Sequence, residues 1–175
     1  MVSLNEKNDA ANKMFYIFVS IGIVPLLIIW GIYLYIPASP LLIDIAVMTD
    51  NLPAITSAKY PLMTKVMDVY CKSAPLLAVI LFILSVKKRN LNSASNRIVV
   101  IRSCLIFLLF SIFFIYIFMF CNFELTTAGG VVRYMSNNSV TLLLIYMGVY
   151  FTLLFFSYFI LFIPCVFWKL LKERQ

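Results

Sequence analysis

Long apolar runs without a charged side chain limit what this chain can fold into. Three of them, residues 14–36, 103–123 and 140–168, each exceed the ~20 residues that a helix needs to cross the hydrocarbon core of a bilayer. Of the 175 residues, 63% are hydrophobic and 12% are charged, whereas about a quarter of the residues in a soluble domain are charged. A water-soluble protein of this size could not bury so much apolar surface. The sequence therefore predicts an all-α membrane protein.

A further span, residues 62–86, is predicted between the first two of these runs, although its first half contains charged residues. Residues 73–86 are uncharged, but a helix of this length would reach only about 21 Å. Extending the helix back to Leu62 supplies the missing length, with the Lys72 ammonium reaching the outer headgroups and Pro75 bending the first turns. We therefore predict a bundle of four transmembrane helices with short loops, and one membrane domain for the whole chain.

Two loops connect these spans on the side opposite the termini. The first, residues 37–61, is rich in proline and contains the apolar segment 41–48, which is too short to cross the membrane. We expect this segment to lie along the membrane interface or to fold onto the spans. The second loop, residues 124–138, is shorter and has Gly129 and Gly130 at its tip.

The positions of the Lys and Arg residues predict the orientation, because cytoplasmic loops of membrane proteins carry an excess of positive charge. With both termini inside, ten of the 14 Lys and Arg lie on the inner side. The residues that weigh most surround the short loop between the second and third spans: Lys87, Lys88, Arg89, Arg97 and Arg102. The sequence thus predicts an N-in, C-in topology.

Residue types that support catalysis or metal binding are missing or scattered. The sequence contains no histidine, which excludes a Ser-His hydrolase and a zinc protease of the H-E-x-x-H type. The carboxylates of Asp44, Asp50, Asp68 and Glu124 are scattered over the outer segments rather than paired. We predict no enzyme activity, no metal and no cofactor. The net charge of +7 is accounted for by the span ends, so no nucleic acid partner is expected.

The four cysteines occur singly, without a C-x-x-C pair. Cys71 and Cys121 fall near the outer ends of their predicted spans. In an oxidising compartment they could form a disulfide, although spacing alone does not show that their Cα atoms approach within about 7 Å. Small buried thiols are the simpler interpretation, and both alternatives stay open from the sequence.

Aromatic residues recur at helical spacing along the third and fourth spans. The two stripes are Phe107, Phe110, Phe114 and Phe118 on the third span, and Phe151, Phe155, Phe159 and Phe162 on the fourth. The simplest interpretation is packing within the bundle together with lipid contact. The alternative is a ridged surface that receives the helices of another protein. Prolines at positions 25, 75 and 164 are expected to shape the bundle, with a hinge or a docking notch as the alternative.

Several short motifs then point to a family. They are Asn122-Phe123-Glu124-Leu125-Thr126-Thr127-Ala128-Gly129-Gly130 after the third span, Gly22-Ile23-Val24-Pro25-Leu26 in the first span, Leu52-Pro53-Ala54-Ile55-Thr56-Ser57 in the first outer loop, and Ala74-Pro75. Together with the four-span layout, they resemble the immunity proteins that protect bacteria against pore-forming colicins of the A type, in particular colicins A and B. The resemblance covers essentially the whole chain.

This resemblance implies a function and a location. Such proteins lie in the bacterial inner membrane with both termini in the cytoplasm. They recognise the pore-forming domain of their own colicin and block opening of its channel, through lateral contact between membrane helices. The implied partners are therefore a colicin pore-forming domain and the lipid bilayer. The sequence leaves the oligomeric state open.

The residues expected to recognise the toxin lie first in the second outer loop, where an incoming toxin would meet the protein. They are Glu124, Thr126, Thr127, Gly129 and Gly130. The alternative is that these residues only make a tight turn, in which glycine supplies a positive φ. Weaker candidates are Pro25 and the aromatic residues Phe114, Phe118, Phe155 and Phe159.

Three other functions remain as alternatives. A small transporter or channel subunit would need an ionisable residue buried within a span, yet no Asp, Glu, Lys or Arg lies in the middle of a predicted one. A membrane thiol oxidoreductase would need cysteines acting in pairs, so that function would depend on Cys71 or Cys121. A four-span scaffold of the tetraspanin or claudin type would carry cysteine motifs that the outer loops lack.

Overall fold

A computed structural model describes residues 4–86 and 97–172. In chain order the elements are α1 (Leu4–Tyr35), α2 (Pro40–Met48), β1 (Ile55–Thr56), α3 (Pro61–Cys71), α4 (Ala74–Ser85), α5 (Arg97–Phe120), β2 (Phe123–Glu124), α6 (Gly130–Met135) and α7 (Ser139–Lys172). The chain is therefore mainly helical, with one short β-bridge between its loops.

Four helical stretches are long and apolar enough to cross a membrane. They are Asn12–Tyr35, Pro61–Ser85, Val99–Phe120 and Ser139–Trp168. The prediction of a helical chain with four helices able to span a bilayer is confirmed. The third helix ends earlier than the predicted residue 123, because Phe123 belongs to a strand and its amide donates to the Ala54 carbonyl at 3.3 Å.

The second span consists of two helices rather than one bent helix. The chain interrupts at Lys72 and Ser73, between α3 and α4, and Pro75 lies in the first turn of α4. Proline has no amide hydrogen and its ring clashes with the carbonyl four residues earlier, so a regular helix cannot continue through this point. The Ser73 amide instead donates to the Tyr70 carbonyl at 2.9 Å, which forms a tighter turn.

The last span, α7, is the central helix of the bundle. It packs against α1, α3, α4 and α5. In its most apolar stretch 50% of the residues are buried, compared with 6% in the corresponding stretch of α5. Contacts show that α1 runs antiparallel to it: the Phe15 ring lies 6.1 Å from the Tyr158 ring, whereas Gly22 lies against Tyr150. On α4, Ser85 Oγ lies 3.0 Å from the Tyr158 hydroxyl, so α4 runs parallel to α7.

These directions place the connecting segments 36–60 and 121–138 at one end of the bundle, which we call the loop end. The start of α1, the end of α4, the start of α5 and the end of α7 lie at the other, which we call the terminal end. The predicted loop segment 41–48 is the helix α2, which packs on α3 and so folds onto the spans.

Candidate functional site

The loop end is organised by a short parallel bridge between β1 and β2. In its register, Ile55 lies opposite Phe123 and Thr56 lies opposite Glu124. The bridge is extended by the Leu125 amide, which donates to the Thr56 carbonyl at 2.8 Å. The segment 124–130, which we call the recognition loop, is thereby attached to the first connecting loop rather than free in solvent.

Asn122 connects the end of the third span to this bridge. Its side-chain oxygen accepts a hydrogen bond from the Ala54 amide at 2.7 Å, and Ala54 is buried. An unpaired buried amide is unfavourable, so this contact stabilises the position of the segment preceding β1.

A second set of contacts joins the first connecting loop to the turn before α7. The buried Ser57 hydroxyl donates to the Ser136 carbonyl at 3.1 Å, and the Ser57 amide donates to the Thr64 hydroxyl at 3.1 Å. At the surface, the Lys59 ammonium donates to the Asn137 carbonyl at 2.8 Å. Both connecting loops are therefore packed into one cap, which comprises residues 49–60 and 121–138 and is bonded to the start of α3.

Side chains of the spans donate hydrogen bonds to carbonyl groups of this cap. Tyr146 on α7 is fully buried, and its hydroxyl donates to the Ile55 carbonyl at 2.6 Å. Lys65 on α3 donates to the Leu52 carbonyl at 2.7 Å. At the end of α3, Lys72 donates to the Pro53 carbonyl. Three side chains of the second and fourth spans thus bind the Leu52, Pro53 and Ile55 carbonyls of one loop segment.

Two expectations about charged residues in the second span are wrong. Lys72 does not extend to the headgroups: its side chain is 11% exposed and its ammonium lies 2.9 Å from the Asp68 carboxylate. Asp68 does not lie in an outer segment, since it is on α3 and fully buried. The interpretation failed because the direction of a lysine side chain depends on which acceptors the tertiary fold brings near it.

Asp68 is also the kind of buried ionisable residue that would favour a transporter. Here it is paired with Lys72 close to the loop end, so the two charges compensate each other. An ion path would need further polar groups along the spans. In the other half, the buried Ser85 and Ser111 bond to groups of their own helix or of Tyr158, and the buried Ser157 hydroxyl has no hydrogen-bond partner among the described residues. The arrangement fits structural pairing better than transport.

The recognition loop presents most of its predicted residues at the surface. Glu124, Thr127, Gly129 and Gly130 are exposed and Thr126 is partly exposed, while Leu125 inserts into the bundle and is 8% exposed. The hydroxyls of Thr126 and Thr127 donate to the Glu124 side chain and carbonyl respectively. The structure therefore brings the predicted loop residues together.

The expected role of glycine in this turn is wrong. Gly129 has a φ of −61° and Gly130 begins α6, and none of the glycines that the structure describes has a positive φ. The turn is made by threonine hydroxyls that bond back to Glu124, a pattern that competes with regular secondary structure.

An open groove of about 1010 Å³ lies beside the recognition loop. Its walls are the end of α2, the segment before β1, the start of α3 and residues 122–124, which include β2. Val47, Leu52 and Phe123 give it an apolar surface, and Asp50 and Glu124 add carboxylates. No sequence pattern predicts this groove, because it is formed by segments that are distant along the chain.

The aromatic stripes pack mainly against each other. Phe107 on α5 lies 5.3 Å from Phe159 on α7, Phe114 lies 5.4 Å from Phe156, and Phe155 lies 4.6 Å from Phe159, measured between ring centroids. These distances suit favourable aromatic pairs. Phe114, Phe155 and Phe159 therefore pack within the bundle, as the simplest interpretation predicts. Phe118 also packs against the buried residues of the core. Phe156, at the centre of the cluster, was not in either predicted stripe.

The exposed surface of the third span is the opposite face of α5. It carries large apolar side chains with more than half of their surface exposed: Ile106, Leu109, Phe113, Tyr116 and Phe120. Periodicity could not identify this face, because α5 is apolar on all sides.

Pro25 lies in α1 next to a close approach to α7. Tyr150 packs against Gly22, and the Tyr70 hydroxyl donates to the Gly22 carbonyl at 2.8 Å. The rings of Tyr70 and Tyr150 stack with centroids 5.7 Å apart. The helix surface three residues before Pro25 is therefore covered by the protein's own tyrosines.

The cysteines are free thiols. Cys71 is buried and contacts the Tyr146 carbonyl at 3.4 Å, whereas Cys121 is only partly buried. The structure supports the interpretation of Cys71 as a small packed thiol. Among residues 4–86 and 97–172, no three His, Cys, Asp or Glu side chains are grouped so that they could hold a metal ion.

Of the residues expected to determine topology, two are described, and they lie at the terminal end. Lys87, Lys88 and Arg89 are outside the described residues. Arg97 begins α5, and Arg102 is exposed on the same helix.

Comparison with known proteins identifies the family. The sequence model described as "Colicin immunity protein" matches residues 38–175. The chain is 50% identical to the Colicin-A immunity protein of Citrobacter freundii over 173 residues, which are 99% of this chain and 97% of that one. It is 38% identical to the Colicin-B immunity protein of Escherichia coli over 175 residues, which are 100% of both chains. No solved structure matches the chain. The chain belongs to the colicin immunity protein family.

Proposed function

We propose that this protein binds the pore-forming domain of a colicin within the bacterial inner membrane and prevents its channel from opening. The observation that carries the proposal is the match over nearly the whole chain to the Colicin-A immunity protein, at 50% identity. The four membrane-spanning helices support the location. In this role the protein is an inhibitory binding protein rather than an enzyme.

Two surfaces are available for such binding. Within the membrane, the outward face of α5 is wide and aromatic, and it includes Phe113 and Tyr116. At the loop end, the recognition loop and the adjacent groove add exposed polar groups, including Glu124 and Thr127. Large aromatic side chains supply contact area, and a few polar groups supply specificity. We assign recognition to these two surfaces together.

We further propose that both termini are cytoplasmic. Arg97 and Arg102 lie in the first turns of α5, at the terminal end, and the sequence has Lys87, Lys88 and Arg89 shortly before that helix. Positive charge near span ends favours the cytoplasmic side. The loop end then faces the periplasm, from which a toxin arrives. The cap would meet the toxin before the membrane helices do.

Inhibition requires preferential binding of the closed form of the channel. A voltage-gated channel gains about 2.3 kcal/mol for each elementary charge that moves through 100 mV. A binder holds it closed only if its differential affinity for the closed form exceeds that driving energy. Confinement of both partners to one membrane raises their effective concentration, which helps a small protein to do this.

A protection assay tests the proposal. The chain is expressed in a colicin-sensitive strain, which is then exposed to a panel of pore-forming colicins that includes colicins A and B. We expect survival against at least one pore-forming colicin and continued killing by a nuclease colicin, whose action needs no channel in the inner membrane. Killing by every pore-forming colicin, with the protein present in the membrane, would show that the proposal is wrong.

A further inference from the structure

An ion pair lies at the break in the second span, although a helix needs no ion pair to cross a membrane. Asp68 is fully buried, and its carboxylate lies 2.9 Å from the Lys72 ammonium. Lys72 is the residue at which α3 ends. A buried ion pair is weak evidence for stability, because desolvating two charges can outweigh their attraction. Apolar residues would serve a helix in a bilayer as well, so the pair calls for another explanation.

Lys72 also contacts the cap. Its ammonium donates to the Pro53 carbonyl. Pro53 directly precedes Ala54, whose amide donates to the Asn122 side chain. One ion pair on a spanning helix is in contact with the loop segment from which the β-bridge begins.

From this segment the connection to the recognition loop is direct. Ile55 and Thr56 are bridged to Phe123 and Glu124, and the Leu125 amide donates to the Thr56 carbonyl. Any shift of residues 53–56 away from α3 would move Glu124 and Leu125 with it.

We propose that Asp68 and Lys72 are positioning residues, which hold segment 53–56 against α3 and thereby fix the recognition loop relative to the membrane-spanning helices. This inference rests on the proposed function, because it assumes that the recognition loop contacts the toxin. The pair joins the two binding surfaces: it sets the position of the loop on the same bundle that presents the outward face of α5. A partner that spans both surfaces needs this distance to be constant.

The first test measures the packing of the cap without any toxin. Leu125→Cys places a buried thiol in the recognition loop, in a background whose four native cysteines are replaced by alanine. Labelling by a maleimide is then measured on the purified protein in detergent. The main variant is the double substitution Asp68→Leu with Lys72→Met, which removes both charges and so leaves neither one buried alone.

We expect this double variant to label at least about tenfold faster, since the rate follows the population of the locally open cap. Lys72→Arg keeps a cation that can pair with Asp68 and donate to the Pro53 carbonyl, and it should label at nearly the original rate. Ser85→Ala is the matched control, because it removes a buried polar group of the same span at the terminal end. An unchanged rate in the double variant would overturn the inference.

The second test is protection, measured at equal amounts of protein in the membrane. The double variant should lose protection while Lys72→Arg and Ser85→Ala retain it. Faster labelling with full protection would also overturn the positioning role. Failure of the unaltered chain to protect would instead contradict the proposed function, and the labelling result would still report on the contact between ion pair and cap.

Discussion

At the scale of single residues, Gly22 controls how closely α1 approaches α7. A Cβ atom at this position would lie 1.7 Å from the Tyr150 hydroxyl oxygen. Tyr150 is fully buried and stacks on Tyr70, so its ring has little room to move. Small residues allow close helix contacts in membranes, where packing rather than water exclusion drives association. Only glycine leaves space for the tyrosine here.

We therefore predict that Gly22→Ala lowers the free energy of unfolding by about 1–3 kcal/mol, the usual cost of overpacking. Unfolding by SDS in mixed micelles measures this. Gly31→Ala is the matched control on the same helix, because nothing lies within 4 Å of its Cβ position. The control should be neutral or slightly stabilising. Equal effects at both positions would show that α1 and α7 do not approach so closely.

At the scale of elements, the two faces of α5 have different environments. One face packs its aromatic rings against α7, as in the pair Phe114 and Phe156. The other face is exposed over the length of the span, as at Phe113. A residue on the first face should affect stability, whereas a residue on the second should affect binding.

A pair of substitutions separates these roles. Phe156→Ala should reduce the free energy of unfolding by about 1.5–4.5 kcal/mol, since its three aromatic contacts with α5, of about 0.5–1.5 kcal/mol each, are lost. Phe113→Ala should change stability by no more than about 0.5 kcal/mol and should weaken protection against the cognate colicin. SDS unfolding and the protection assay measure the two effects. Full protection by the Phe113 variant would exclude that side chain from the contact.

How far the sequence predicts each element depends on the range of the interactions that form it. Apolar length alone identifies helices such as α1 and α7, and Pro75 marks the break in the second span. The bridge of β1 and β2 carries no such signal: each strand has two residues, too few for a periodic pattern. Its register depends on partners such as Ala54 and Asn122, which are 68 positions apart.

The candidate site follows the same rule. Exposure of Glu124 and Thr127 could be predicted, because polar residues beside glycines form surface turns. The burial of Asp68 and the direction of Lys72 could not, since both depend on where the loop before β1 folds. The sequence alone shows which residues carry charge; only the fold shows which acceptors they reach.

At the scale of the whole molecule, the proposed orientation predicts which side of the membrane each end of the bundle faces. With the terminal end in the cytoplasm, a fluorescent protein fused after residue 175 should fluoresce, and alkaline phosphatase fused there should be inactive. Phosphatase inserted in the recognition loop should be active, because it folds only in the periplasm. The reverse pattern would place the cap on the cytoplasmic side and would contradict our proposal.

The central position of α7 has a consequence for synthesis. Every other span contacts this helix, yet the ribosome makes it after the three that it organises. Before α7 enters the bilayer, α1 and α5 lack a helix that they contact in the finished bundle. The aromatic rings of α5 then face lipid. Assembly of the bundle must therefore be completed after insertion of the earlier spans. A chain that stops before α7 would lack the helix against which the other spans pack and the Tyr146 hydroxyl that binds the Ile55 carbonyl, so neither proposed binding surface would be held in its final position.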